Sequence, residues 1–320
     1  MAPRRIAVLD LGTNSTRLLV ADVRDGSLVE LERRTTVTRL GEGVDATGLL
    51  SDVAIARVTE AVAGYREHID RLGADTVVAI ATSAMRDAGN GPSFHRALRE
   101  RFDIDARTIS GEEEARLTFR GATTGRPREE TETMVIDIGG GSTEYVVGRP
   151  GRDPSFYVST RMGSVRHTER HLEGDPPDPD EVAALSRDAG RIVTSELPGA
   201  VRERVKQGIA VAGTATSLAA IDLELDPYDP DRVHGHRLSL AACERILTLL
   251  ATLPLAERRK VTGLHPDRAP TIVAGAAILR ESIRACNLAE VEISEADILH
   301  GAALAAAGRS TRGEGGGSTG

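Results

Sequence analysis

Asp10-Leu11-Gly12-Thr13-Asn14-Ser15-Thr16 aligns without a gap on Asp137-Ile138-Gly139-Gly140-Gly141-Ser142-Thr143, 127 residues further along a chain of 320. Each copy follows an apolar, strand-like run, Ile6 to Leu9 or Met134 to Ile136, and each leads into a second, Leu18 to Ala21 or Tyr145 to Val147. Either copy alone reads as an ordinary hairpin, because Gly and Asn are common turn residues. Together they ask for more. A hairpin needs a residue that tolerates positive φ, but not an aspartate before the turn and a hydroxyl pair after it in both copies. Consecutive glycines lose backbone entropy on folding and are favoured where bare N–H groups must approach an anion. Ser15, Thr16, Ser142 and Thr143 add donors, while Asp10 and Asp137 can hold a metal directly or through water. The duplication predicts two phosphate loops, one per domain, facing each other across an interdomain cleft.

Working outward, strand signals run from Ile6 to Val23 and around Leu28 to Leu40. Ser51 caps a helical pattern that Gly73 stops, and Thr76 to Thr82 reads as a short buried strand. Pro92 to Arg101 follows as helix and Ala106 to Ile109 as strand, after which Ser110 and Glu113 form a capping box for the next helix. The polar stretch Thr123 to Thr133 marks the domain boundary, giving a first domain over 1–124 and a second over 125–296. In the second, helix is predicted from Pro179 to about Leu197, strand at Ile209 to Ala212 and helix at Thr216 to Leu225. Helical stretches at Ser239 to Leu253, Leu255 to Val261 and Pro270 to Ala285 precede a strand at Val291 to Ser294. A last helix, Ala296 to Ala307, precedes a Gly/Ser-rich tail, 308–320, that reads as disordered.

Composition narrows the function. No apolar stretch approaches the roughly 18 residues of a membrane-spanning helix, and the N-terminus runs directly into a strand, so neither export nor a membrane is expected. Two cysteines, Cys243 and Cys286, read as reduced cytosolic thiols, and the expected location is cytoplasmic. With 40 Lys+Arg against 48 Asp+Glu the net charge is −8, which disfavours a non-specific hold on nucleic acid. Aromatics make up 2% and Trp is absent, leaving no evident base-stacking platform. All basic residues but Lys206 and Lys260 are arginines, suited to forked contact with phosphate or carboxylate. No Walker sequence is present, because neither lysine follows a glycine. The Gly139 loop leads into a strand rather than a helix, which argues against a dinucleotide fold.

Several residues are candidates for chemistry, each with a plainer alternative beside it. Glu112, Glu113 and Glu114 occupy the first turn of a helix, where acids complement the dipole. That reading suffices for the first two. Glu114 points to a different face, where a carboxylate can act as general base on a water. Glu144 stands where the first copy has Arg17, so one hairpin offers an acid beside Asp137 for Mg²⁺ and the other a cation for phosphate; an exposed ion pair is the alternative for Glu144. Arg86, at a loop entrance after the Thr82 strand, is by itself a solvated arginine. Gly213 and Thr214, between a strand and a helix, offer an anion seat. His167 and His171 have i,i+4 spacing suited to a metal, but no third ligand is evident. Surface placement is the plain reading for both, as for His234 and His236.

Six segments, Asp10 to Arg17, Ala81 to Arg86, Ser110 to Leu117, Val135 to Glu144, Met162 to Arg166 and Gly213 to Thr216, occur in the order found in the Ppx/GppA phosphatases, and the chain resembles that family from about residue 4 to 307. The glycine loop alone points only to the wider actin-like superfamily; Ser110 to Leu117 together with Arg86 makes the narrower assignment. The resemblance implies two actin-like (ribonuclease H-like) α/β domains with an active-site cleft between them, the helix 297–307 packing back on the first. It implies Glu114 as base and Asp137 and Glu144 as metal ligands. Phosphate contacts carry over to Gly139, Gly140, Gly141, Ser142, Asn14, Ser15 and Arg86, while Arg17 and Arg268 match positions associated with recognising a phosphorylated substrate. A homodimer is implied as well. Longer family members carry an extra C-terminal helical domain that this chain ends without, so processive handling of very long chains is not implied. His300-Gly301 stands where the family often has Arg-Glu-Gly, and the role of that arginine does not transfer.

The resulting expectation is hydrolysis of the terminal phosphoanhydride of inorganic polyphosphate, dependent on Mg²⁺ or Mn²⁺. Alternatives are guanosine pentaphosphate as substrate, a phosphotransferase of the sugar-kinase type, and a non-catalytic protein that senses polyphosphate or alarmone.

Overall fold

The computed structural model describes residues 3–126 and 130–313. The chain divides into two compact units, Met1–Gly125 with Ile298–Gly320, and Arg126–Asp297.

The first unit is built on strands β1 (Arg4–Leu11), β2 (Ser15–Arg24), β3 (Ser27–Val37), β4 (Thr76–Ala81) and β5 (Ala106–Thr108), in the order β3-β2-β1-β4-β5. β1 to β3 form an antiparallel meander, while β4 and β5 extend the sheet in parallel with β1. The unbroken apolar run of β1 follows from burial on both faces. Ala7, Leu9 and Leu11 pack with α1 (Asp52–Leu72) and α2 (Gly91–Phe102), through Val58, Val62, Ile69, Phe94 and Leu98. Ile6 and Val8, on the alternate face, pack with Ile298, Leu299, Ala303 and Leu304 of the C-terminal helix Ile298–Gly313, which lies beside α3 (Gly111–Thr123). Gly301 permits that approach: a Cβ there would lie 2.6 Å from the Leu117 carbonyl carbon. The helix continues through Gly313, so residues 308–313 do not form the disordered tail expected of them. The rest of that tail, 314–320, lies outside the described residues.

The second unit repeats the plan. Strands β6 (Thr133–Ile138), β7 (Thr143–Gly148), β8 (Phe156–Thr160), β9 (Gln207–Val211), β10 (Arg237–Ser239) and β11 (Glu290–Ile293) are ordered β10-β11-β9-β6-β7-β8. β6, β7 and β8 are the antiparallel meander, β9 and β11 the parallel extension, and β10 adds an antiparallel edge. Apart from that edge, the strand order matches the first sheet, so the seven-residue repeat is the visible part of a whole-sheet duplication, the two-fold α/β plan of actin-like proteins. Helices α4 (Ser164–His171), α5 (Pro179–Glu196), α6 (Ala212–Asp222), α7 (Leu240–Thr252) and α8 (Ile272–Ala285) complete the unit. Its core includes Ile136, Tyr145, Leu185, Leu218, Leu247 and Ile278.

Cap chemistry explains several boundaries. Ser51 accepts from the Ala54 N–H, Gly73 ends α1 at φ 64°, and Asp178 with Glu181 forms a reciprocal capping box on α5. At α3 Ser110 accepts from the Glu113 N–H, but the Glu113 carboxylate is gripped by Arg107 at 2.7 Å through both oxygens. β8, α4 and β10 are absent from the sequence reading. α6 begins at Ala212 and ends at Asp222, four residues earlier than expected at its start, so Gly213 and Thr214 lie within its first turn. Among the described residues no helix is long and apolar enough to cross a membrane.

Candidate active site

The two hairpins share one geometry. Gly12 donates to the Ser15 carbonyl and Gly139 to the Ser142 carbonyl, each at 3.0 Å. In register, Asp10 faces Arg17 and Asp137 faces Glu144. Residues opposite each other on neighbouring strands project from the same sheet face, so the sequence swap of Arg17 for Glu144 becomes a difference in local charge.

On the first hairpin the charge is closed internally. Arg17 donates to Asp10 Oδ2 from Nε at 2.9 Å and from Nη2 at 2.6 Å. By strand alternation both side chains lie on the face of Ile6, Val8 and Leu19, the face covered by α3 and the C-terminal helix. Asn14 and Ser15 form the turn, and the Asn14 carbonyl accepts from the N–H groups of Thr38 and Arg39 at 3.1 and 2.9 Å. Tyr65 anchors the strand beyond it, donating to the Thr16 carbonyl at 3.0 Å.

α3 sorts its three glutamates. Glu112 pairs with Arg116 at 2.9 Å and Glu113 with Arg107, both toward solvent. Glu114 is 7% exposed and has Arg86 Nη1 3.4 Å from its Oε2, a long contact held by charge more than by hydrogen-bond geometry. Arg86 is fixed from a second side, donating to the Ile109 carbonyl at 2.9 Å. The first unit therefore brings Arg86 to Glu114, two residues that the sequence separates by 28 positions.

In the second unit Asp137 is 7% and Glu144 1% exposed, and Glu144 Oε1 accepts from the Ser159 hydroxyl at 2.6 Å. Glu144 is thus buried, which removes the exposed ion pair as its explanation. Like charges placed directly opposite on a sheet repel, and two hard carboxylates are the donor chemistry that Mg²⁺ or Mn²⁺ takes. The pair fits such an ion on both counts.

The glycine loop is held from behind by α4. The Gly139 carbonyl accepts from the Ser164 N–H at 2.9 Å, and the Gly140 carbonyl from the N–H groups of Val165 and Arg166 at 2.8 and 3.1 Å. The Gly141 carbonyl accepts from Arg166 Nε at 2.8 Å. In a planar trans peptide the carbonyl and the following N–H point in opposite directions. Fixing these carbonyls toward α4 therefore turns the N–H groups of Gly140, Gly141 and Ser142 the other way, as an anion cradle requires. Gly163 makes this possible: a Cβ there would lie 2.5 Å from the Gly140 carbonyl carbon and 2.6 Å from that of Gly141. Met162 to Arg166 carried the family resemblance but no role in the sequence reading. Its role is to orient the loop, and the three consecutive glycines were the available signal that something must approach from behind.

Gly213 and Thr214, in the first turn of α6, lie beside Arg268. A Cβ on Gly213 would fall on the Arg268 guanidinium, so the missing side chain is what admits the arginine. Helix N-terminal N–H groups and a guanidinium thus meet in one place. The neighbouring Ala269 carbonyl is fastened by buried Arg258, which also donates to Leu250 and Leu253. Burial holds the Arg258 guanidinium below the usual arginine range.

The histidines correct an expectation: His167 is fully buried rather than on the surface, and a third potential ligand, Asp188, faces the pair. His234 is exposed, and His236 meets Asp222 at 3.0 Å. Cys243 and Cys286 are buried free thiols that burial pushes up to about 12 and about 11, leaving them unreactive at neutral pH. His300 bonds Glu30 at 2.8 Å within the first unit.

Known proteins share this architecture. Exopolyphosphatase 2 of Mycobacterium tuberculosis is 37% identical over 325 aligned positions, covering 96% of this chain and 100% of the relative. Among solved structures, an exopolyphosphatase-like protein superposes with TM-score 0.91 at 31% identity, covering 97% of this chain and 100% of the other. The Aquifex aeolicus Ppx/GppA family member superposes with TM-score 0.81 at 28% identity, over 96% and 99% of the two chains. The Ppx/GppA phosphatase family matches residues 19–309, and with the duplicated hairpins and the α3 glutamate in place, the chain belongs to that family.

Proposed function

We propose that this protein is an exopolyphosphatase that hydrolyses the terminal phosphoanhydride of inorganic polyphosphate and releases phosphate. The observation that carries the reading is the sorting of the α3 glutamates: two are spent on surface arginines, and Glu114 alone is buried beside Arg86. The similarity to an exopolyphosphatase over 96% of the chain supports the substrate class.

Glu114 orients a water and takes its proton as the water oxygen attacks the terminal phosphorus. The bond to the bridging oxygen breaks, that oxygen leaves with its electron pair on the shortened chain, and orthophosphate departs. Arg86 pairs with the Glu114 carboxylate and draws charge from the phosphoryl oxygens. The N–H groups of Gly140, Gly141 and Ser142 bind phosphate oxygens, and Gly213, Thr214 and Arg268 bind phosphates further along the chain. Asn14 and Ser15 serve the first hairpin's end, with Arg17 neutralised by Asp10. Asp137 and Glu144 would hold Mg²⁺, or Mn²⁺ in its place, which when bound neutralises charge on the phosphate oxygens. Asp10 is the weaker ligand candidate because Arg17 engages its Oδ2 twice. The reading includes a cytoplasmic setting and a homodimeric assembly, the latter checked by light scattering.

The test is phosphate release from short and long polyphosphate, guanosine pentaphosphate and ATP in Mg²⁺. Polyphosphate as the best substrate by kcat/KM is the expected outcome. Preference for guanosine pentaphosphate, or tight polyphosphate binding without turnover, would overturn it.

A further inference from the structure

His167 and His171 lie one turn apart on α4, and Asp188 meets them from the middle of α5. One ligand atom from each residue falls within 4.8 Å of the others. His171 Nε2 is 3.1 Å and His167 Nε2 3.5 Å from Asp188 Oδ2. A tetrahedral ion with bonds of ~2.0–2.2 Å holds its ligand atoms about 3.3–3.6 Å apart, so the His167–Asp188 separation already matches and the His171–Asp188 separation needs to open by only about 0.2 Å.

A hydrogen bond to Asp188 accounts for His171 without an ion, but nothing of that kind accounts for His167. His167 is 0% exposed, and neither of its ring nitrogens has a hydrogen-bond partner. Buried polar atoms are almost always satisfied. Arg191 donates to Asp188 Oδ1 at 2.6 Å, which orients the carboxylate with Oδ2 facing the histidines and Arg170 Nη1 3.9 Å from that oxygen.

We propose that His167, His171 and Asp188 form a binding site for a zinc-type divalent transition-metal ion, separate from the Asp137–Glu144 pair. Two imidazoles and one carboxylate suit Zn²⁺, Co²⁺ or Ni²⁺ and not Mg²⁺, which prefers an all-oxygen octahedron. His171 and Asp188 are both partly exposed, so the ion enters from solvent and keeps a water as its remaining ligand. The first turn of α4 holds the carbonyls of Gly139, Gly140 and Gly141, and the last carries His171. A bound ion therefore staples the helix that orients the glycine loop onto α5. The site stands whether or not the hydrolase reading does.

The experiment strips the full-length protein with chelator, then titrates Co²⁺ in excess Mg²⁺ while recording the visible spectrum. One equivalent giving the intense bands of low-coordinate cobalt, with imidazole nitrogen in the X-ray absorption spectrum, is expected. His171→Gln and Asp188→Asn should each weaken binding by at least about 100-fold, whereas Asp137→Asn should leave the spectrum intact. Zn²⁺ at saturation should raise the wild-type melting temperature by several degrees and leave the His171→Gln variant unmoved. No stoichiometric binding by the wild type, octahedral cobalt on oxygen ligands alone, or loss of the spectrum in Asp137→Asn with retention in His171→Gln would overturn the proposal.

Discussion

Replacing Gly163 by alanine adds a single methyl group where the structure has no space for it. Gly163 has φ −149° and ψ 163°, extended backbone that alanine adopts freely, so the effect is steric rather than conformational. The new Cβ would lie 2.5 Å from the Gly140 carbonyl carbon and 2.6 Å from that of Gly141, where contact distances of about 3.5–4.0 Å are needed. Loop and helix must separate by about 1 Å, and both neighbours are backbone that cannot rotate aside. Over that distance the bonds from Ser164, Val165 and Arg166 to the loop carbonyls lengthen from 2.8–3.1 Å to beyond useful range. Overpacking costs about 1–3 kcal/mol and each weakened bond about 0.5–1.5, so a loss of about 2–5 kcal/mol is expected after partial relaxation. In a unit of this size that lowers the melting temperature by roughly 5–15 °C. A cradle displaced by about 1 Å should also lose on the order of 100-fold in kcat/KM for phosphate release. Gly64→Ala is the control: nothing lies within 4 Å of a Cβ there, and its position within α1 favours alanine. A Gly163→Ala variant that melts within a degree or two of wild type and releases phosphate at a similar rate would refute this steric role for Gly163.

Other substitutions separate the remaining roles. Gly213→Ala should drive the Arg268 guanidinium from its place and raise KM for polyphosphate about tenfold with a smaller change in kcat; unchanged KM would mean that Arg268 binds no substrate. Asp137→Asn should raise the half-saturating Mg²⁺ concentration about tenfold or more, seen in a metal titration of phosphate release, and an unchanged requirement would place the ion elsewhere. Arg258→Met leaves the Leu250, Leu253 and Ala269 carbonyls without their buried donor and should cost about 2–4 kcal/mol in urea unfolding; a change below 1 kcal/mol would contradict the assigned role.

The hairpins were legible because their chemistry is local. An aspartate, a glycine turn and a hydroxyl pair recur in one order, and the structure gives both copies the same Gly-to-Ser backbone bond. The distinct behaviour of Glu114 also followed from helical periodicity, since it alone of its triplet turns inward. The failures share a different cause. Helix α4 buries Arg166 and His167 along with Val165, so a search for an apolar stripe passes over it. Glu144 lies in a strand buried on both faces, where alternation no longer separates exposed from buried positions. The contacts of Arg268 with Gly213, Arg258 with Ala269, and Asp188 with the histidines depend on helices that come together only in the folded unit. No local pattern announces them. For the helix that orients the glycine loop, Met162 to Arg166 was visible as a motif, but its purpose required the carbonyl directions.

The most direct measurement is phosphate release from polyphosphate by Glu114→Gln beside wild type, with melting temperature and substrate binding recorded on the same samples. Glutamine keeps the size and hydrogen-bonding reach of the side chain but cannot accept a proton from water. Turnover should fall by about 10²–10⁴-fold while melting temperature and polyphosphate affinity stay close to wild type. Turnover near the wild-type rate in a folded, substrate-binding variant would contradict the assignment of Glu114 as the base.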